Sequence, residues 1–313
     1  MYVLGTLGPI ILLVALGLAL RRGGFANLAF FRQTNRLVYW IALPALLFAK
    51  TAGMTPDLDA VLHAFVIMLA GTAIAFVVAE LAGHALKLPP PSRAAFVQAG
   101  YRGNLAYVGL PVVLYALAGA DTNASTADEV TAVLAMAPLI PVYNVTAVWV
   151  LVRGASREAG ERLSLGTLLG QIARNPILIG IVAGLAVAFA PVSLPRLLQR
   201  TIGLIGQLAL PLALLGIGAS LSFSALRGHG KAAVAGTVVK TFVCPLGGLL
   251  VAALMGVAGR QLLVALLFLA CPTATASYVM AERLDADAAL TASIIVLSTV
   301  VSMPVLAAIL AIL

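Results

Sequence analysis

Two stretches of the sequence place polar side chains beside helix-breaking residues within runs that are otherwise apolar. The candidate residues of these stretches, GYRGNLAYVGLP at 100–111 and ACPTATASYV at 270–279, are Gly103, Asn104, Pro111, Pro272, Thr273, Thr275 and Ser277. Proline removes a backbone donor and glycine tolerates unwound dihedral angles, so each stretch predicts a broken helix. Freed backbone groups, hydroxyls and an amide can hold a small polar ligand, and the start of a half-helix favours a carboxylate.

Two basic residues lie deep in apolar runs, Arg102 beside the first break and Lys240 in a separate run. A charge at such depth is costly unless it faces a cavity or a partner, so each residue is a candidate for coupling or for binding a second carboxylate. The alternative is that both long side chains snorkel to water at the end of their run. Asn144, in a further apolar run, completes the predicted substrate-binding set.

The composition requires a membrane environment. The chain of 313 residues is 62% hydrophobic and 10% charged, whereas soluble domains carry roughly 25% charged residues. Apolar runs of about 20 residues indicate transmembrane helices. Ten such segments are predicted, at 2–20, 34–52, 60–84, 94–118, 127–152, 166–189, 197–222, 231–256, 260–282 and 288–312. The expected fold class is therefore an all-α membrane protein with ten transmembrane helices.

Basic residues divide unequally between the two sets of loops. Loops one, three, five, seven and nine hold twelve of them: Arg21, Arg22, Arg32, Arg36, Lys87, Arg93, Arg153, Arg157, Arg162, Arg227, Lys231 and Arg283. The opposite loops hold four: Lys50, Arg196, Arg200 and Arg260. Short loops rich in lysine and arginine stay in the cytoplasm, so a multi-pass protein of the bacterial inner membrane with both termini outside is predicted. Because these residues set topology, binding to nucleic acid is not expected.

Prolines recur in register between two halves of the chain. Four pairs lie at nearly constant offsets: 167 for Pro9 and Pro176, 167 for Pro44 and Pro211, 161 for Pro111 and Pro272, and 163 for Pro141 and Pro304. They predict two homologous halves of five helices, 1–152 and 166–313, joined by a short cytoplasmic loop at 153–165. Because five is odd, the second half is inverted, and inverted repeats are typical of secondary transporters with a substrate site near the midplane.

Several stretches resemble one known family. They are IALPALLF, GNLAYVGLP, RNPILIGIVAGL, LALPLALLGIGASLS, CPTATASYVMAERL and LSTVVSMP, and they span nearly the whole chain. The family is that of the auxin efflux carriers, within the bile-acid/arsenite/riboflavin transporter superfamily. Its bacterial members are mostly described as malonate or malate permeases.

The resemblance implies a five-plus-five inverted repeat in which helices four and nine are broken and cross at the substrate site. It implies a scaffold domain from helices 1, 2, 6 and 7 and a transport domain from helices 3–5 and 8–10. The positions carried over are Asn104 and Pro111 in one crossing segment and Pro272 with its neighbours in the other. Plant relatives place an asparagine in the second segment, where this chain has threonines, and their long hydrophilic loop is missing here. Auxin is therefore not the expected substrate.

The predicted function is secondary active transport of a small organic anion, a mono- or dicarboxylate, by alternating access. A passive anion channel or facilitator on the same fold is one alternative, and a sodium-coupled symporter of the bile-acid type is another. An enzyme is not expected, because HExxH and GxSxG are absent and no paired carboxylates lie deep in adjacent segments. The phosphate-binding pattern GxxxxGK[ST] is also absent, which argues against pumping driven by ATP.

No cofactor or metal is expected, and the coupling ion is predicted from charge. No acidic residue lies at the depth of the two breaks, and a fixed ammonium at Lys240 would repel sodium and could replace its structural role. A desolvated lysine releases its proton readily, so Lys240 could carry a transported proton. Sodium bound through neutral oxygens alone stays open as an alternative.

The expected partners are the organic anion and membrane lipid. Two GxxxG pairs, Gly166 with Gly170 and Gly180 with Gly184, permit close packing of helices. That packing could lie within the chain or join two copies as a homodimer through the scaffold helices.

Overall fold

The computed structural model describes residues 2–53, 56–120, 126–154, 170, 173–190, 194–221 and 230–313. These parts of the chain are helical and contain no β-strand beyond one isolated bridge. The helices are α1 Tyr2–Arg22, α2 Leu28–Leu37, α3 Leu43–Thr51, α4 Leu58–Ala85, α5 Pro90–Tyr101, α6 Leu110–Ala120, α7 Thr126–Met136, α8 Leu139–Gly154, α9 Pro176–Phe189, α10 Arg196–Gln207, α11 Ala209–Ser220, α12 Gly230–Val238, α13 Cys244–Met255, α14 Arg260–Ala270, α15 Ala276–Arg283 and α16 Ala288–Ile312. Short π-helical turns at Val38–Ala42, Leu105–Gly109 and Val239–Val243 lead into α3, α6 and α13.

Six helical stretches of the described chain are long and apolar enough to cross a membrane. They are Gly5–Arg22, Leu58–Ala85, Ala127–Gly154, Arg196–Ser220, Gly230–Met255 and Ala288–Ile312. Three shorter apolar helical stretches lie at Leu105–Ala118, Pro176–Phe189 and Arg260–Ala270. An all-helical membrane protein was expected, and this finding agrees with it, whereas the number of ten spans and their inverted repeat stay predictions.

The chain divides into two compact units. The first comprises Met1–Val61, Ala106–Ala137 and Ser164–Leu221, and the second comprises Leu62–Leu105, Pro138–Leu163 and Ser222–Leu313. Two of the boundaries fall near the middle of predicted segments, after Leu105 and after Ala137. The division into a scaffold and a transport domain stays a prediction. Most of the predicted loop at 153–165 lies outside the described residues.

In the first unit, α1 packs along α11, and α3 packs against both α9 and α10. The helices α3 and α9 approach closely because α9 presents glycines. A Cβ at Gly180 would lie 2.5 Å from the carbonyl oxygen of Pro44, and one at Gly184 would collide with Phe48. This GxxxG pair is therefore used for packing within the chain, while Gly166 lies outside the described residues.

In the second unit, α5 is the central element. Every residue from Ala94 to Tyr101 is buried, because α8, α12 and α16 pack around this helix. Asp287 holds two helix starts together: one of its carboxylate oxygens accepts a hydrogen bond from Leu290 N at 2.9 Å and the other from Ser92 Oγ at 2.8 Å. The capped start of α16 thus holds the first turn of α5 in place.

Candidate functional site

Two helices of the second unit stop abruptly and are joined through backbone. The helix α5 ends at Tyr101 and α14 ends at Ala270, and the residues that follow each end are extended. Gly103 and Thr273 form an antiparallel bridge between the two interruptions. The sequence predicted both breaks, and the structure brings them into direct contact.

Two backbone hydrogen bonds close this bridge. Asn104 N donates to the carbonyl oxygen of Pro272 at 2.8 Å, and Ala274 N donates to the carbonyl oxygen of Arg102 at 2.9 Å. A buried backbone group without a partner costs several kcal/mol in an apolar environment, so each broken helix supplies partners for the other. Asn104 and Pro272, both predicted site residues, therefore also hold the break together through their backbone.

Thr273 fastens the second interruption to α5 and α16. Its hydroxyl donates to the carbonyl oxygen of Ala99 at 2.8 Å, and its backbone N–H donates to Ser298 Oγ at 3.1 Å. The side chain is 1% exposed. The hydroxyl of Thr273, a predicted site residue, thus donates its hydrogen bond to a backbone carbonyl near the end of α5.

Gly103 leaves room for a lysine. A Cβ at this position would lie 3.0 Å from Cys271 Sγ, 3.3 Å from Lys240 Cε and 3.5 Å from Lys240 Nζ. These distances place the Lys240 side chain directly against the break. Gly103 was predicted for its tolerance of unwound backbone, and the structure adds that a larger side chain would meet Lys240 and Cys271.

Lys240 lies in the π-turn between α12 and α13 and is fully buried. Its ammonium donates to the carbonyl oxygen of Leu269 at 2.5 Å. Leu269 is in the last turn of α14, where unsatisfied carbonyls carry partial negative charge, so the ammonium compensates this helix end. The alternative that Lys240 snorkels to water is wrong, because no part of its side chain reaches solvent.

Arg102 follows the last residue of α5 and is 6% exposed. One guanidinium nitrogen donates to Asn144 Oδ1 at 2.7 Å, and another contacts the thioether sulfur of Met280. The predicted residues Arg102 and Asn144 therefore lie together. Asn144 belongs to α8, so its amide ties α8 to the break in the neighbouring helix.

Neither buried cation has an acidic partner among the described residues. The ion pairs found there are Lys50 with Glu129, at 2.5 Å, and Arg153 with Glu80. Removing a cation from water without a counter-ion is expensive, and neutral acceptors offset only part of that cost. The described residues at the break thus include two buried cations with no paired carboxylate.

The remaining predicted residues differ in their surroundings. Ser277, in α15, is fully buried, and within the described chain its hydroxyl has no hydrogen-bond partner. Thr275 precedes α15 and is partly exposed, and its side chain does not cap the helix. Pro111 is buried in α6, which belongs to the first unit. The second unit alone thus brings together the other members of the predicted set.

Sequence reasoning missed several polar residues of this region. Gln98 is fully buried one turn before Arg102, and its side-chain oxygen has no partner among the described residues. Thr72 and Tyr143 share a buried hydrogen bond of 3.0 Å beside Asn144. Gln98 and Arg102 are four residues apart and therefore lie on one helix face, so this spacing could have identified Gln98 from the sequence. Thr72 gave no such signal, because threonine is common in apolar helices.

Comparison with protein families identifies the chain. A family model described as "Membrane transport protein" matches residues 2–310. The chain belongs to this family. The resemblance to the auxin efflux carriers, inferred from the motifs, is thereby confirmed.

A curated relative supports the same conclusion. This protein of Rhizobium meliloti (strain 1021), named "Putative malonate transporter", is 28% identical over 195 residues. The match covers 62% of this chain and 58% of the relative, so the chain spans just over half of the relative's length. Together with the apolar helices, the family and the relative identify a membrane transport protein and not an enzyme.

The hydrogen bond from the Thr273 hydroxyl to Ala99 predicts that its removal lowers the stability of the protein. Thr273→Val keeps the shape and the backbone bonds but leaves the carbonyl of Ala99 buried without its donor, which costs about 1–3 kcal/mol. We expect a clearly lower thermal unfolding midpoint of the detergent-purified protein. Thr275→Val is the matched control, because its hydroxyl makes no helix-capping bond. Equal midpoints for the two variants would contradict the assignment.

Proposed function

We propose that this protein is a secondary active transporter that moves a small organic anion, a mono- or dicarboxylate, across the bacterial inner membrane by alternating access. The observation that carries the proposal is the pair of buried cations, Arg102 and Lys240, beside two joined helix breaks and without an acidic partner among the described residues. Membership of the transport family and a relative whose name specifies malonate support it.

Arg102 is the residue that binds the carboxylate. The ammonium of Lys240 is committed to the carbonyl of Leu269. Among the described residues, one guanidinium nitrogen of Arg102 contacts only a thioether sulfur, which is a weak acceptor. A carboxylate can replace that sulfur and accept two parallel hydrogen bonds from the guanidinium fork. Asn144 keeps the guanidinium plane oriented through its own hydrogen bond.

The neighbouring polar groups complete the substrate site. Ser277 offers a buried hydroxyl with no partner in the described chain, and Asn104 adds an amide one residue beyond the bridge. Both lie on elements attached to the two breaks, as does Thr275 at the start of α15. In this proposal these groups bind the polar end of the substrate, while Lys240 compensates the end of α14.

The architecture proposed for this mechanism is a five-plus-five inverted repeat of ten helices in which the fourth and ninth cross. The recurring proline offsets support it, as do interruptions in both of the corresponding segments. The transport domain of helices 3–5 and 8–10 moves against a scaffold of helices 1, 2, 6 and 7, and the scaffold joins two copies as a homodimer. Alternating access in such folds is rocking of one bundle against the other around a fixed site.

Substitution of Arg102 tests the site. Arg102→Gln removes the charge and the fork, so we expect the KM for malonate in proteoliposome counterflow to rise about tenfold or more, since charge-assisted hydrogen bonds contribute about 1.5–3 kcal/mol. Asn104→Ala should also weaken substrate binding, while its backbone bond to Pro272 remains. Arg200→Gln, an exposed arginine of α10, is the control. An unchanged KM in Arg102→Gln would overturn the assignment.

Sodium dependence tests the coupling. No acidic residue supports a cation site at the break in the described chain, and Lys240 already provides a positive charge there. We therefore expect transport driven by protons or by the membrane potential and not by sodium. A sodium gradient at fixed pH and zero potential should produce no concentrative uptake of malonate into proteoliposomes. Concentrative uptake under those conditions would establish the sodium-coupled alternative instead.

Orientation is tested by labelling. The excess of basic residues in odd-numbered loops predicts both termini outside and residue 157 in the cytoplasm. Both native cysteines are buried, so the background is low. An impermeant thiol reagent should not label Arg157→Cys in right-side-out vesicles until the membrane is permeabilised. Rapid labelling of intact vesicles would reverse the orientation.

A further inference from the structure

The second unit contains a cavity of about 300 Å³, separate from the helix breaks, where α4 and α8 end and α5 begins. Four of its described lining residues are ionisable: Glu80 and His84 from α4, Arg93 from α5 and Arg153 from α8. Nothing in the transport mechanism uses these residues.

The charges of this cavity do not cancel. Arg153 forms an ion pair with Glu80, and the guanidinium of Arg93 lies 3.3 Å from His84 Nδ1. In the described part of the chain no carboxylate pairs with Arg93. Among the described lining residues, two arginines therefore face one carboxylate. The aliphatic part of Arg93 packs over Gly83, where a Cβ would lie 2.8 Å from Arg93 Cγ, so the guanidinium is held at the cavity.

The helix lengths predict that the cavity lies at the depth of lipid headgroups. The helix α4 has 28 residues, which corresponds to about 42 Å and nearly spans a bilayer with its headgroup layers. The cavity is formed by the last turns of α4 and α8, both of which belong to candidate membrane spans. Trp149 is half-exposed beside it, with the guanidinium of Arg153 4.6 Å from the ring centroid. Tryptophan and arginine are typical anchors at this level of the membrane.

An apolar surface leads away from the cavity along α4. Val77 lies three residues before Glu80, and Leu81 lies three residues before His84, so each is a neighbour of a cavity residue on the helix surface. Val77 is 54% exposed and Leu81 is 65% exposed. In a membrane protein, such a surface contacts acyl chains. A ligand with one anionic group and apolar tails fits both features, whereas a soluble anion would use only the first.

We infer that this cavity binds the phosphate group of an anionic phospholipid, with Arg93 as its principal ligand and the acyl chains along α4. Basic pockets between transmembrane helices hold anionic headgroups in this way. Glu80 opposes the phosphate, and its pairing with Arg153 limits that opposition. The inference is independent of the transported substrate, because none of the described lining residues takes part in the bridge between the two helix breaks.

Intrinsic fluorescence provides a direct test. The chain has two tryptophans, so Trp40→Phe leaves Trp149 as a single reporter next to the cavity. The full-length protein in detergent is titrated with phosphatidylglycerol, with phosphatidylcholine as a zwitterionic comparison and with inorganic phosphate as a soluble one. We expect saturable binding of phosphatidylglycerol and weaker binding of the other two.

Two substitutions with opposite expected signs separate binding from stability. Arg93→Gln should weaken phosphatidylglycerol binding about tenfold through loss of a charge-assisted hydrogen bond. Glu80→Gln should strengthen binding several-fold, because it removes the opposing carboxylate. Arg283→Gln, an exposed arginine at the end of α15 that does not line the cavity, is the matched control and should bind like the parent.

Equal phosphatidylglycerol affinity in Arg93→Gln and Arg283→Gln would overturn the inference, as would weaker binding in Glu80→Gln measured on protein that elutes as the parent does. Tight binding of inorganic phosphate with no response to phosphatidylglycerol would also overturn it, and would instead identify a soluble phosphate ligand.

Discussion

The antiparallel bridge between Gly103 and Thr273 is the contact on which the candidate site depends. A helix that stops inside an apolar layer exposes carbonyls at its end, and no water is present there to accept or donate. Here each interrupted helix supplies backbone partners to the other, and the hydroxyl of Thr273 supplies one more to Ala99. The two breaks therefore satisfy part of each other's backbone. Loss of either one would leave the polar backbone of the other unsatisfied.

The two buried cations follow from the same constraint, but they have different tasks. Lys240 lies at the end of α14, where its ammonium meets the carbonyl of Leu269 and offsets the negative end of that helix. Arg102 lies at the end of α5 and turns away from the backbone, toward Asn144 and Met280. The first cation stabilises the broken structure, and in the proposed mechanism the second binds the substrate carboxylate. A site built on helix ends thus gains its positive charge from residues that stand next to those ends.

Part of this arrangement could be predicted from the sequence, because some of its causes act on neighbouring residues. Proline and glycine act on their own backbone, so the positions of both breaks were predictable. The high apolar content and the apolar runs of about 20 residues predicted a membrane-embedded helical protein. Depth within apolar runs was sufficient to identify four candidates: Arg102, Asn104, Asn144 and Lys240. Gln98 could have been added from its spacing to Arg102, because residues four apart share a helix face.

The contacts between those residues were decided by tertiary structure. Arg102 and Asn144 are 42 positions apart, Lys240 and Leu269 are 29 apart, and Thr273 and Ala99 are 174 apart. Periodicity shows which face of a helix is buried but not which helix covers it, so no pattern assigned these partners. The burial of Lys240 was undecided for the same reason, since a long side chain can reach water or turn inward. The sequence by itself determined where the helices break and where charge enters the apolar layer, and only the packing of α5, α8 and α14 decided what each charge binds.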